Sequence, residues 1–185
     1  MLGELTNLRA IERSDIPCVH AWMNDATVMR GWGWSAPCRS LHDVATQVEG
    51  WLAQEVTLGR PAALIGETLA GEPIGLIVLM LERAEAHAAE LSLLIGDPTR
   101  WGSGLGSDLL ETVLDAAFGG WGLHRIGIRV EASNSRALAL YQGRGFQVEG
   151  RLREAAFLDG RRQDVVLLGL LAPEWLAPSA ASPAD

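Results

Sequence analysis

The sequence predicts one mixed α/β domain, and three observations carry that prediction. Segments of strand and helix patterning follow one another as strand, two helices, three strands, helix, strand, helix and two strands. The 185 residues fit one domain of the usual ~100–200 residues, with 48% hydrophobic and 21% charged residues, the balance of a chain that buries a core. Every apolar run is interrupted by Arg, Asp or Glu before it reaches the ~18 residues of a membrane span.

Residues 5–11 alternate as a strand does, and Ser14-Asp15 then caps a helix carrying Ile16, Val19, Trp22 and Met23. A loop with Gly31-Trp32-Gly33-Trp34 and Pro37 follows. Ser40 with Asp43 opens a second helix, whose Leu41, Val44, Val48, Trp51 and Leu52 recur at helical spacing as far as Gly59. Residues 61–67, 73–81 and 88–95 read as three strands of an antiparallel meander. The glycine-dense stretch 101–106 leads into a third helix, with Leu105, Leu109, Leu110, Val113, Leu114, Ala117 and Phe118 on one face. After Gly119-Gly120, residues 125–130 form a strand, and Asn134 caps a short helix that Gly143 terminates. Residues 146–157 and 162–171 pair as a hairpin across Asp159-Gly160. The domain is expected over 1–172, with an Ala/Pro/Ser-rich C-terminal tail over 173–185.

Composition narrows the function. The net charge is −8, which disfavours nucleic acid as a partner and favours a cationic substrate. All fifteen basic residues are Arg. Without Lys the chain has neither a P-loop nor a Schiff-base nucleophile. Cys18 and Cys38 lie twenty positions apart with no metal-binding or redox spacing, and no apolar leader follows Met1, which reads as a cytoplasmic protein with reduced thiols, no metal and no membrane partner.

Two constellations can carry chemistry. Glycines at 102, 104 and 106, between an apolar strand and a helix N-terminus, leave backbone N–H groups open to phosphate; the alternative is a plain glycine-rich connection. A dinucleotide fingerprint is ruled out, because its third glycine would fall at Ser107. Asn134 and Tyr141 stand seven residues apart on nearly one helix face, so both can reach a cleft beside the glycine loop, where a phenol can deliver a proton. A simple cap and a core aromatic are the competing readings.

With these residues in place, the chain resembles the GNAT superfamily of acyl-CoA N-acyltransferases over residues 5–171, nearer its Rim-type and polyamine or amino-acid branches. The family's pyrophosphate motif, Gln/Arg-x-x-Gly-x-Gly/Ala, maps onto Trp101-Gly102-Ser103-Gly104-Leu105-Gly106, and its downstream pattern onto Asn134, Leu140-Tyr141 and Gly145-Phe146. The first motif position departs from the family, being Trp101. Adjacent Arg100 is the candidate to supply the missing charge; otherwise the N–H groups from Gly102 to Ser107 hold the pyrophosphate alone.

The resemblance implies a mostly antiparallel seven-stranded sheet flanked by about four helices and splayed between its fourth and fifth strands, with acetyl-CoA as acetyl donor. It implies donor contacts from Leu93, Leu94 and Ile95, from Arg100 to Ser107 including Ser103 and Leu105, and from Asn134 and Arg136. Tyr141 is the implied general acid and Glu90 the implied base, with Glu131, a water chain or Asp164 as alternatives. Trp32 and Trp34 are the implied acceptor contacts, with packing against Trp22 or Trp51 the other reading. The acceptor is a small-molecule amine or a peptide N-terminus, attacked directly in a ternary complex, and a homodimer is allowed. A non-catalytic acyl-CoA sensor on the same fold is the rival function.

Overall fold

Strand β1 (Thr6–Ala10) opens a sheet whose seven strands run β1-β2-β3-β4-β5-β7-β6. The structure, a computed structural model, describes residues 1–33, 38–83 and 87–177. After β1 come helices α1 (Ile16–Asn24), α2 (Ala26–Gly31) and α3 (Leu41–Leu58). Strands β2 (Ala63–Thr68), β3 (Pro73–Arg83) and β4 (Ala88–Ile95) form the antiparallel meander expected from the three strand-like runs. Helix α4 (Leu105–Asp115) crosses over to β5 (Arg125–Glu131), and α5 (Ser135–Gln142) precedes the hairpin of β6 (Gln147–Leu158) and β7 (Arg161–Leu171). A crossover helix is what a parallel neighbour requires, and β5 is parallel to β4. At the hairpin turn Asp159 and Gly160 have φ of 49° and 75°, as a primed two-residue turn needs.

Helices α4 and α5 cover one face of the sheet, where Leu109, Leu110, Val113 and Leu114 pack on Leu64, Ile77, Leu91 and Ile128. Helices α1 to α3 cover the other, through Val19, Met23, Met29, Val44 and Val48 against Ile65, Leu76 and Val78.

Two helices lie beyond the sequence expectation of about four. Asp25 accepts from Thr27 N–H and Val28 N–H and so starts α2, inside what reads as loop. Helix α6 (Ala172–Leu176) takes in residues 173–176 of the expected tail, held by Trp175 Nε1 donating to Asp115 and by Glu174 accepting from the Leu171 N–H. Helix α4 ends in a π-turn over Ala116–Gly120 rather than continuing straight through Phe118.

Candidate active site

The β4–β5 ladder has three registered pairs, Ala88–Arg125, Ala89–Ile126 and Glu90–Gly127. Beyond Glu90 the strands part, and the sheet itself opens into a cleft. Two cavities meet there. One, of about 250 Å³, runs along Leu93, Leu94, Ile95, Trp101, Gly102, Gly104, Gly106 and Ser107. The other, of about 660 Å³, extends past Glu90, Ser92, Arg129 and Glu131 towards α3. Gly31, Trp32, Leu93, Asn134, Ala137 and Tyr141 border both.

The smaller cavity has the chemistry of a diphosphate-and-chain site. Gly102 and Gly104 have φ of 80° and 89°, a region an L side chain rarely adopts, and a Cβ at Gly102 would meet nothing within 4 Å. Gly104 precedes the first turn of α4 and makes no side-chain cap, so the orphan N–H groups of Leu105 and Gly106 face the loop. The apolar wall of Leu93, Ile95 and Leu140 suits an extended chain. The donor-loop residues do not all face this space: Ser103 Oγ donates to the Arg100 carbonyl at 2.6 Å, and Leu105 packs into the core.

The cations there are arranged unequally. Arg100 borders the cavity, but its Nη2 is 2.7 Å from Glu72 and its Nε 3.4 Å from Asp97. Arg136 also borders it and lies over the Trp101 ring, 3.9 Å from the centroid. Trp101 Nε1 donates to the Ile95 carbonyl at 3.1 Å. Arg144, which sequence reasoning did not single out, donates to Ser107 Oγ and to Glu111 beneath the loop.

Tyr141, the chain's single tyrosine, is 5% exposed and meets the Phe146 ring edge-on at 5.7 Å. Its hydroxyl has no hydrogen-bond partner among the described residues, and burial pushes the phenol above its ordinary range, so it stays protonated. Asn134 caps α5 by accepting from the Ala137 N–H and also donates to the Gly31 carbonyl at 2.9 Å, so the capping reading and the site reading hold together.

The larger cavity brings Glu90 from β4 and Glu131 from β5 to one space with Trp32 and Trp51. Trp34 lies outside the described residues. Sequence reasoning missed Arg39, Asp43, Gln47 and Arg129, which also border this cavity. Asp43 had a local signal only as a cap partner; it binds Arg39, which also reaches Gln47. Asp164, an alternative base, borders neither cavity and instead accepts from Arg151 and the Glu154 N–H. Cys18 is half-buried and donates to the Asp15 carbonyl, and burial pushes its thiol up, away from nucleophilic use. Among the described residues no group of three or more His, Cys, Asp or Glu is arranged to hold a metal ion, and no helix is long and apolar enough to cross a membrane.

Comparison with known proteins places this geometry among relatives. Residues 6–147 match the acetyltransferase (GNAT) domain family. Spermidine N(1)-acetyltransferase of Vibrio cholerae is 30% identical over 176 residues, covering 95% of this chain and 98% of that protein. The Escherichia coli K12 protein of the same name is 26% identical over 170 residues, covering 92% and 88%. The crystal structure of the V. cholerae enzyme in complex with CoA and spermine superposes with a TM-score of 0.83 at 29% identity, covering 93% of this chain and 98% of that one.

Proposed function

This chain belongs to the acetyltransferase (GNAT) family and is an acetyl-CoA-dependent N-acetyltransferase of a small-molecule amine, and we propose that its acceptor is an aliphatic polyamine of the spermidine class. The observation that carries this reading is the larger cavity, which Glu90, Glu131, Trp32 and Trp51 line together. Carboxylates and aromatic faces are the groups that hold ammonium ions. The names of the V. cholerae and E. coli relatives support the same class.

Bound acetyl-CoA supplies an acetyl thioester. Glu90, at the point where β4 and β5 part, takes the proton of the acceptor ammonium, and the freed amine forms its bond to the acetyl carbonyl carbon as the C–S bond breaks. Tyr141, held protonated by burial, gives its proton to the departing sulfur, and the proton that the new amide nitrogen then sheds restores the phenol. The orphan N–H groups at the start of α4 and the glycine loop hold the diphosphate. These roles rest on place: Glu90 lines the larger cavity, the glycine loop the smaller one, and Tyr141 borders both. The unpaired Cys18 and Cys38 support work in the cytoplasm, and the exposed Val148 and Phe157 on β6 support a second copy of the chain as partner.

Initial rates with acetyl-CoA and a panel of polyamines, aminoglycosides, amino acids and peptides test the reading. The expected result is the highest kcat/KM for a tri- or tetraamine. Turnover confined to peptides or amino acids overturns the acceptor assignment, and CoA binding without turnover on any amine identifies the non-catalytic sensor instead.

A further inference from the structure

We propose that Trp101 is a positioning residue whose indole holds the Arg136 guanidinium at the donor cavity, making Arg136 the cation for the CoA diphosphate in this chain. The position of Trp101 opens the glycine motif, and a tryptophan there brings no charge. Its neighbour Arg100 is turned to Glu72 and Asp97, with Glu72 taking two contacts of 2.7 and 2.8 Å. One guanidinium between two carboxylates makes a cluster of net negative charge, which repels a third anion. Arg136 has no carboxylate partner among the described residues and stands over the indole face at 3.9 Å.

The indole is fixed in turn. Trp101 Nε1 donates to the Ile95 carbonyl, and α2 closes over the pair: a Cβ at Gly31 would lie 3.7 Å from the Trp101 ring and 4.0 Å from Arg136 Nη2. Stacking leaves the edge N–H groups of a guanidinium free, and these are the donors that fit phosphate oxygens two at a time. The stack therefore removes rotamer freedom from Arg136 before the ligand arrives, without occupying the donors it uses.

The inference rests on the reading that the smaller cavity takes CoA, and calorimetric titration separates the two. Wild type, R136Q, W101L, W101F and the double variant R136Q/W101L are titrated with CoA, and competition with pantetheine, which lacks the diphosphate, gives a second affinity. R136Q should weaken CoA by about 10- to 100-fold, the range of a charge-assisted bond to phosphate. W101L should weaken it by roughly 3- to 30-fold, as loss of a cation–π contact does, while W101F keeps a ring face and recovers most of the affinity. The double variant should be no more than about twofold weaker than R136Q, because the indole acts through the guanidinium. The ratio of CoA to pantetheine affinity should fall in R136Q and W101L alike. Thermal melts on the same samples show that each variant is folded, and W101F carries the test if W101L is not. Unchanged CoA affinity in W101L, additive losses in the double variant, or an equal loss of CoA and pantetheine affinity overturns the inference. Failure of the wild type to bind CoA overturns the donor-site reading and this inference with it.

Discussion

Asn134 joins the two sides of the cleft by donating its side-chain amide to the carbonyl of Gly31 at 2.9 Å, while its oxygen accepts from the Ala137 N–H at 3.1 Å. One residue thus starts α5, which carries Tyr141, and fastens it to Gly31 at the end of α2, which Trp32 directly follows.

The two bonds are separable by substitution. Asn134→Asp keeps the cap and loses the donor to Gly31, whereas Asn134→Ala loses both. Asn134→Ala should lower stability by about 1 kcal/mol for the cap alone, measured by denaturant titration. Asn134→Asp should hold stability closer to wild type but raise KM for both substrates, since its carboxylate faces the Gly31 carbonyl. Wild-type KM values in Asn134→Asp would show that the tie to Gly31 does not shape the site.

Gly104 has φ of 89°, and a Cβ there would come 3.4 Å from Leu5 Cδ1. Gly104→Val therefore strains the backbone by about 1–2 kcal/mol and displaces the N–H groups that open α4. The expected outcome is a raised KM for acetyl-CoA in initial-rate assays. Unchanged CoA affinity in this variant removes the glycine loop from the donor site.

Tyr141→Phe removes an oxygen that has no hydrogen-bond partner among the described residues, so the melting temperature should stay near wild type. If the phenol is the general acid, kcat should fall by about 10²- to 10⁴-fold with CoA affinity retained. The pH profile adds a sign. Because burial raises the phenol, the wild-type kcat should show no falling limb at the ordinary tyrosine value of about 10. A limb there that disappears in Tyr141→Phe would contradict the buried, protonated acid.

Glu90→Gln tests the base. It should depress kcat/KM most near neutral pH, where the carboxylate is ionised and the acceptor is still an ammonium, and abolish the acidic limb, with partial recovery at high pH where more acceptor is already neutral. A profile that keeps the wild-type limb and is only scaled down assigns Glu90 to substrate orientation and moves the base to Glu131, which borders the same cavity.

Stability at low pH should depend on Asp15, which is 4% exposed beside Arg9. Burial alone would push this carboxyl up, but the hydrogen bonds from Arg9 and the Glu12 N–H, with the Arg9 charge, outweigh it and hold it below the usual range. A lowered carboxyl contributes stability that is present above its unfolded value, ~3.9, and is lost as pH falls through the lower folded value. Asp15→Asn should cost about 3 kcal/mol at neutral pH and flatten this acid dependence, measured by denaturant titration between pH 2 and 7. An acid dependence as steep as wild type in Asp15→Asn assigns the effect to other carboxylates.

Much of this architecture is a matter of local pattern. Apolar runs separated by turns mark the strands of the meander, the 3.6-residue period marks α4, and Asp159-Gly160 marks the β6–β7 turn, because each depends on neighbours in the chain. The glycines of the donor loop and the Asn134–Tyr141 spacing were legible for the same reason. Helix α2 was not, since its start depends on a single Asp25 cap inside a glycine- and tryptophan-rich stretch. Nor was the fate of Arg100 and Arg136: both are arginines near the loop, and only folding brings Glu72 to one and the Trp101 ring to the other. The same holds for the proposed base and acid. Glu90 lies with Ser92 on the side of the sheet that α3 covers, and Tyr141 packs with α4 and α5 on the other. They share a cavity because the β4–β5 ladder stops at Glu90. The spacing between positions 90 and 141 carries no trace of that opening, because it is a property of two strands parting in space rather than of either strand's sequence.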